Sequence, residues 1–236
     1  MKQLIVNADD FGAGHGVNRG VVEAHVHGIV TSASLMVTMP AAAQAAALAR
    51  AHPRLGIGLH VVLTAEEGDL RVDPARPDDC RREIRAQLAR FEQLLGARPT
   101  HLDSHHNVHR HPLLTALFVE AAAALALPLR EHSAVRYFPS FYGQWDGQTH
   151  PEQIDADSLE RMLREEVRDG ITELACHPGY VEPDFSSSYV IEREMELRTL
   201  CDRRVMDLVV AQGIHLTNYA ELGAAARHVN DRRLDV

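Results

Sequence analysis

Short apolar runs alternate with amphipathic stretches along almost the whole chain. The apolar runs are typical of buried strands, which we predict near 4–6, 30–38, 56–63, 100–103, 128–131, 171–176 and 213–217. Between them apolar residues recur at helical spacing, which predicts helices over about 16–28, 41–51, 79–95, 112–126, 154–168 and 190–211, and a further helix at the C-terminal end. Strands and helices that alternate in this way indicate a parallel sheet with helical crossovers, and therefore an α/β fold.

Polar side chains stand at the C-terminal ends of several predicted strands, and their distribution favours one of two architectures. In a closed barrel those strand ends converge on one mouth, whereas an open doubly wound sheet concentrates ligands at a single crevice. Because the polar residues are spread over several strands, we predict a distorted (β/α) TIM-like barrel with about seven parallel strands and outer helices. We expect one domain over residues 1–236.

The acidic charge balance narrows the range of partners. The 236 residues include 24 Lys and Arg against 33 Asp and Glu, a net charge of −9, which argues against a surface for nucleic acid or anionic membranes. No apolar run approaches the roughly 20 residues that span a bilayer, and the first residues enter a strand without the pattern of a signal peptide. Three cysteines far apart in the chain suggest no disulfide framework. We therefore predict a cytoplasmic protein.

Histidine is unusually frequent, and it is both the commonest metal ligand and the usual acid–base group near neutral pH. There are 15 histidines, five of them between His101 and His111. Chemistry-bearing side chains at the predicted strand ends are Asp9, Asp10, His60, Asp103, His105, His106, His109 and His177. Singly they have ordinary structural explanations, such as a charge pair at a helix N-terminus or a hydrogen-bonded core histidine. Their shared position on one side of one sheet favours a functional site.

A carboxylate with two imidazoles is a donor set that suits a catalytic metal, because it leaves coordination positions open. A metal in such a site lowers the pKa of its bound water and polarises a carbonyl oxygen. A second carboxylate can accept the proton of the attacking water, and a histidine on another strand can donate one to the leaving group. The pattern therefore indicates metal-assisted hydrolysis. Asp103 could belong to this group or could orient a ligating histidine from behind it.

Six ordered motifs are spread over nearly the whole chain. They are NADDFG at 7–12 with GVN at 16–18, GIVTS at 28–32, GLH at 58–60, PTHLDSHH at 99–106, FYG at 141–143, and CHP at 176–178 with the segment 189–197. Together they resemble the YdjC-like carbohydrate deacetylases, a family that includes chitooligosaccharide deacetylases and hopanoid-associated members. The resemblance implies a divalent-metal-dependent enzyme that removes acetyl from an N-acetylated sugar on a distorted (β/α) barrel.

The resemblance also implies a role for individual residues, motif by motif. Asp10, His60 and His105 would be the metal ligands. Asp9 would be the catalytic base, and His177 would be the general acid. In this mechanism water activated by the metal attacks the acetamide carbonyl, and the departing amine receives a proton.

Two further residues and the identity of the ion complete the expected site. Arg130 follows the histidine cluster and matches a family arginine that would hold Asp9 or bind the substrate. His109 competes with His60 as a ligand, because His105 and His109 have the i, i+4 spacing of two ligands on one helical turn. The resemblance implies one divalent ion, Mg²⁺, whereas the imidazole-rich donor set suits Zn²⁺ as well.

A cluster of aromatic residues bears on the substrate. Five of them lie within nine positions: Tyr137, Phe138, Phe141, Tyr142 and Trp145. They could form a small core under a long loop, or a wall on which a sugar ring stacks beside the site, with Tyr142 and Trp145 binding the substrate. The segment 186–189 could form the opposite wall. The segment 64–83 is shorter than is typical of the chitooligosaccharide members of the family. The resemblance therefore does not extend to the recognition of distal sugar units.

The sequence therefore predicts a metal-dependent hydrolase that removes acetyl from an N-acetylated amino sugar or oligosaccharide. One alternative is another metal-dependent barrel hydrolase such as a phosphoesterase, although no cluster of Arg or Lys accompanies the motifs to clamp a phosphoryl group. A second alternative is a non-enzymatic, His-rich metal-binding protein that takes several ions through residues 101–111. The expected partner is the acetylated sugar, and a homodimer is compatible with the sequence.

Overall fold

The computed structural model describes residues 1–222. Its strands are β1 (Lys2–Phe11), β2 (Ser32–Leu35), β3 (Gly56–Val61), β4 (Leu102–Ser104), β5 (Arg136–Phe138), β6 (Gln144–Trp145), β7 (Gln148–Thr149), β8 (Gly170–Cys176) and β9 (His215–Leu216). Its α-helices are α1 (His15–His27), α2 (Ala42–Ala51), α3 (Pro77–Leu95), α4 (Thr115–Leu125), α5 (Ala156–Glu166), α6 (Ile191–Leu200) and α7 (Arg203–Ala211). Short 3₁₀ helices occupy His105–Arg110 and Pro151–Gln153.

Seven parallel strands form the main sheet, in the order β4-β3-β2-β1-β8-β5, with β9 paired to the first residues of β1. The sheet curls into a half-barrel with helices around it, which confirms the predicted α/β fold and its distorted barrel. The end strands β4 and β5 do not pair with each other, but a single bridge between Leu102 and Leu129 continues the curl beyond β4. The short strands β6 and β7 form a separate antiparallel hairpin.

The core lies between the sheet and its helices. Strand β1 is buried from Leu4 to Phe11, since parallel strands are covered on both faces and therefore consist of nearly continuous apolar runs. Helix α3 turns Cys80, Ile84 and Phe91 towards the core and leaves its charged residues outside. Within residues 1–222, no helix is both long enough and apolar enough to cross a membrane.

Two predicted elements were wrong. The predicted strand at 128–131 contributes only the Leu129 bridge, because Glu131 adopts a left-handed backbone conformation with φ of 63° and turns the chain; the paired strand is β5. The predicted helix at 190–211 is two helices, α6 and α7, because the Asp202 carboxylate accepts a hydrogen bond from Arg204 N and caps a new helix. The predicted C-terminal helix begins at residue 219, and residues 223–236 lie outside the described part of the chain.

Candidate active site

A bulge in β1 brings two consecutive carboxylates to the same place. Adjacent residues of a regular strand point to opposite faces. Here the register with β2 shifts between Ala8 and Phe11, and Asp10 adopts a left-handed conformation with φ of 64°. As a result Asp9 and Asp10 are both buried at the C-terminal end of the sheet and both line one cavity of about 310 Å³.

Within residues 1–222, two groups of buried side chains could hold a metal ion, and the first consists of Asp10, His60 and His105. His60 reaches the site from β3, and His105 follows the end of β4. The Oδ1 atom of Asp10 lies 3.4 Å from His60 Nε2 and 3.1 Å from His105 Nδ1. The other carboxylate oxygen, Oδ2, accepts a hydrogen bond of 2.7 Å from Arg193 Nη2. Arg193 therefore leaves Oδ1 as the oxygen that faces both imidazoles.

The spacing and electrostatics of this group fit a divalent ion. In a tetrahedral site with bonds of about 2.0–2.1 Å, neighbouring ligand atoms lie roughly 3.3 Å apart, close to the two distances at Asp10 Oδ1. Burial alone would lower the pKa of His60, but the carboxylates of Asp103 and Asp10 raise it to about 10. The negative field that favours a proton on His60 also favours a cation at the same place.

Asp9 is held by a buried arginine. The Arg130 guanidinium donates hydrogen bonds of 2.7 and 2.8 Å to the two oxygens of Asp9, and Asn7 donates a third of 2.8 Å. Burial alone would raise the pKa of Asp9, but the charge and hydrogen bonds of Arg130 lower it. Asp9 is therefore ionised at neutral pH, with its position fixed by a bidentate contact.

Arg130 also contacts two further buried carboxylates. It donates to Glu173 Oε1 at 2.7 and 3.0 Å, and its Nη2 lies 2.9 Å from Asp103 Oδ2. Tyr219 donates a hydrogen bond of 2.6 Å to the second oxygen of Glu173. Asp9, Asp103 and Glu173 thus share one guanidinium that is only 1% exposed, so the removal of Arg130 would leave three buried carboxylates without their cation.

Asp103 lies behind His60 rather than beside Asp10. Its Oδ1 is 2.8 Å from His60 Nδ1, so the other ring nitrogen, Nε2, is the one that faces Asp10. Asp9, His60 and Asp103 form the second group that could hold an ion, but Arg130 already places its positive charge between Asp9 and Asp103. The first group is therefore the better metal site.

His177 follows the last residue of β8 and lies next to Asp9. Its Nε2 is 4.0 Å from Asp9 Oδ2, and its side chain is about one-fifth exposed to the cavity. Glu196 accepts a hydrogen bond from the His177 backbone N–H and lies 3.8 Å from its Nδ1. Tyr189 donates to the same carboxylate. The ring is therefore positioned next to Asp9 with one nitrogen towards the cavity.

The other histidines of the cluster have separate partners. His109 is fully buried between Ser104 Oγ at 2.7 Å and Glu131 Oε2 at 3.1 Å, and it belongs to neither of the groups that could hold an ion. His106 contacts Thr64, and His101 contacts Ser34. The 3₁₀ helix at 105–110 is interrupted by left-handed residues 106 and 107, so the α-helical i, i+4 arrangement does not form.

The five clustered aromatic residues divide between the cavity, the core and the surface: Tyr137, Phe141 and Tyr142 line the cavity, Phe138 is buried in the core, and Trp145 is exposed. Tyr142 lines the cavity and stacks on Tyr189 at 4.7 Å between ring centres, so the two rings belong to one wall rather than to opposite walls. Both rings pack edge-on against His177. Trp145 does not line this cavity; it lies on the β6–β7 hairpin, 43% exposed, and stacks on His150. Ser187 and Ser188 line the cavity beside Tyr189.

Sequence reasoning left several site residues without a role: Glu66, Glu173, Arg193 and Glu196. A charged residue inside the apolar run of β8 was a usable signal for Glu173, because such residues are rarely buried unless they are paired. Arg193 and Glu196 fell within a motif, but their contacts depend on how α6 packs against β1 and β8. Glu66 lies in a loop whose path the sequence pattern did not indicate.

Comparisons with known proteins place the chain in a family. A family model described as YdjC-like protein matches residues 3–211. The chain is 39% identical over 249 residues to a carbohydrate deacetylase from Geobacillus stearothermophilus, an alignment that covers 93% of this chain and 98% of the relative. It is 35% identical over 256 residues to a chitooligosaccharide deacetylase from Serratia marcescens, covering 94% of this chain and 99% of the relative.

Solved structures show the same fold. A crystal structure of a protein from Enterococcus faecalis V583 superposes with a TM-score of 0.79 at 27% identity, covering 94% of this chain and 98% of the other. A family 4 acetyl xylan esterase from Clostridium thermocellum, solved in complex with a cobalt ion, superposes with a TM-score of 0.57 at 16% identity, covering 95% and 91%. At that identity the second likeness concerns the fold alone.

Proposed function

Since the chain belongs to the YdjC-like family, we propose that it is a carbohydrate deacetylase that hydrolyses the acetamide of an N-acetylated amino sugar or oligosaccharide. The observation that carries the proposal is the convergence of Asp9, Asp10, His60, His105 and His177 on one cavity. The relatives named as carbohydrate deacetylase and chitooligosaccharide deacetylase match nearly all of this chain. The cavity of about 310 Å³ is of the size that holds a small ligand.

Asp10, His60 and His105 would hold one divalent ion. When bound, such an ion polarises a carbonyl oxygen and lowers the pKa of water. The resemblance implies Mg²⁺, but two imidazoles and one carboxylate suit Zn²⁺ or Co²⁺ better than an ion that prefers oxygen ligands throughout. Arg193 would keep Asp10 monodentate by occupying its second oxygen.

Asp9 and His177 would move the protons. Asp9 is ionised and oriented by Arg130, so it can accept a proton from the attacking water. His177 lies 4.0 Å from Asp9 and faces the same cavity, which suits a group that protonates the departing amine. Arg130 would act through Asp9 rather than by touching the substrate, because its donors are directed to carboxylates.

The substrate would lie against the wall that Tyr142 and Tyr189 form. A sugar ring has an apolar face that packs on an aromatic ring, and Ser187 and Ser188 offer hydroxyl groups beside it. Trp145 is outside the cavity and would meet only the more distant units of an oligosaccharide. The phosphoesterase alternative is weaker, because among residues 1–222 no cluster of Arg or Lys lines the cavity: Arg193 lines it singly and is paired with Asp10, and Arg130 is directed to carboxylates.

A screen for acetate release tests this proposal. N-acetylated mono-, di- and oligosaccharides are incubated with the protein before and after metal removal by a chelator, and after addition of Zn²⁺, Co²⁺ or Mg²⁺. We expect acetate release that chelation abolishes and a divalent ion restores. Full activity after verified metal removal, or no acetate from any N-acetylated sugar, would contradict it. The cytoplasmic location, the single domain and a homodimer stay predictions.

A further inference from the structure

Each imidazole of the metal group has a carboxylate near the nitrogen that faces away from Asp10. For His60 this carboxylate is Asp103, 2.8 Å from Nδ1. For His105 it is Glu66, whose Oε2 lies 3.5 Å from Nε2. Because His105 directs Nδ1 to Asp10, its Nε2 and Glu66 lie on the far side of the ring from the group that would hold the ion.

The two carboxylates differ in how firmly they are held. Asp103 is fully buried in β4, whereas the Glu66 side chain is 26% exposed on the loop that follows β3. Glu66 and His105 line both the main cavity and an adjoining one of about 190 Å³, so together they separate the two. The His105 Nε2 atom is buried and has no hydrogen-bond partner among residues 1–222, which leaves Glu66 as the acceptor within reach.

We propose that Glu66 is a positioning residue for His105: its carboxylate accepts a hydrogen bond from the Nε2–H group, which keeps Nδ1 unprotonated and directed towards Asp10. A ligating histidine usually donates its second N–H to a carboxylate, carbonyl or water, and this fixes its tautomer and orientation. The inference rests on the proposed metal site.

The two imidazoles of the metal group are oriented by different parts of the fold. His60 is oriented by the sheet, since both His60 and its partner Asp103 are buried in neighbouring strands. His105 would be oriented by Glu66, which lies outside the sheet on the segment between β3 and α3. Loss of the Glu66 carboxylate should therefore weaken ion binding without altering the core of the fold.

A matched pair of variants tests this. Glu66→Leu removes the hydrogen-bond acceptor at nearly constant size, and Glu67→Leu makes the same change at the exposed neighbour. Co²⁺ is titrated into the metal-free full chain and both variants, with its affinity measured by competition and its visible absorption recorded. Urea unfolding of the metal-free proteins reports on the fold independently.

For Glu66→Leu we expect about 10- to 100-fold weaker Co²⁺ binding and an altered visible spectrum, with nearly unchanged stability of the metal-free protein. Glu67→Leu should match the unaltered protein in all three measurements. Equal Co²⁺ affinity and spectrum in the two variants would overturn the role of Glu66 and leave the metal site standing. Failure of the unaltered protein to bind Co²⁺ would overturn the metal site and the inference together.

Discussion

Asp9 and Asp10 are consecutive in the chain, and the left-handed conformation at Asp10 lets both carboxylates face one cavity. Each is held by a different buried arginine: Asp9 by both its oxygens and Asp10 by one. Because the two arginines occupy different numbers of carboxylate oxygens, the two aspartates are suited to different chemical roles. Asp10 keeps an oxygen for an ion beside two imidazoles, whereas Asp9 remains outside that group as an ionised, oriented carboxylate.

Arg130 should be essential for stability as well as for activity. Arg130→Met leaves Asp9, Asp103 and Glu173 without their shared cation, and breaking a buried ion pair of this kind costs about 3–5 kcal/mol. Urea unfolding measures the free energy of unfolding. Arg85→Met is the control, because Arg85 is 73% exposed and its contact with Glu120 is 3.9 Å long. Similar losses in the two variants would show that the buried network contributes little.

The alternating pattern predicted the sheet well because buried parallel strands are continuous apolar runs, and β1, β3 and β8 show such runs clearly. The pattern did not predict β5, which has only three residues, of which Arg136 is exposed, Tyr137 is half-buried and Phe138 alone is buried. The break between α6 and α7 also escaped it, since apolar spacing continues across the cap at Asp202.

The candidate site likewise contains residues that could be predicted from the sequence and residues that could not. Residues at strand ends could be predicted, because parallel strands bring their C-terminal ends to one edge. The contacts of Arg193, Glu196 and Glu66 could not, because they come from a helix and a loop whose approach depends on tertiary packing. His109 was expected to share a metal with His105 because the two residues are four positions apart. That spacing brings two side chains to the same side only in an α-helix, and the backbone here is not α-helical.

The fully buried His101 should make stability depend on pH. Burial is the main reason that the pKa of His101 falls from 6.5 to about 4. Below pH 6.5 the unfolded chain binds a proton that the folded protein does not bind until about pH 4. The free energy of unfolding should therefore decrease as pH falls from 6.5 to 4, by about 3 kcal/mol in total from this residue.

Urea unfolding at several pH values checks this. His101→Phe keeps a ring beside Tyr219, on which His101 stacks at 4.0 Å, and removes the titration. We expect a clearly smaller loss of stability between pH 6.5 and 4 in this variant than in the unaltered protein. His27→Phe, at an exposed position, is the control and should keep the full pH dependence. An unchanged slope in His101→Phe would rule out His101 as its source.

Metal binding should distinguish His60 from His109. His60→Ala removes an imidazole 3.4 Å from Asp10 Oδ1, so metal occupancy and turnover should both fall steeply. His109→Ala removes a ring that contacts Ser104 and Glu131, so occupancy should stay nearly intact although some stability is lost. Elemental analysis after dialysis against a dilute divalent ion gives the occupancies. The reverse pattern would make His109 the ligand.

Tyr142 and Trp145 should affect substrates of different length. Tyr142→Ala removes a ring that lines the cavity, so KM for an N-acetylated monosaccharide should rise about 2- to 10-fold. Trp145→Ala should leave that KM unchanged and raise KM for longer oligosaccharides, since Trp145 lies on the exposed hairpin. Steady-state kinetics with one, two and four sugar units check both. If Trp145→Ala raised the monosaccharide KM and Tyr142→Ala did not, this arrangement would be refuted.

The most direct test of the account compares metal occupancy and kcat in Asp9→Asn and Asp10→Asn. Asp9→Asn keeps the shape of the side chain but cannot accept a proton, so kcat should fall by about 10²–10⁴-fold while metal occupancy and KM change little. Asp10→Asn should instead weaken metal binding, and part of its activity should return at high metal concentration. Near-normal kcat in Asp9→Asn, or loss of its metal while Asp10→Asn keeps the ion, would contradict the division of roles between the two aspartates.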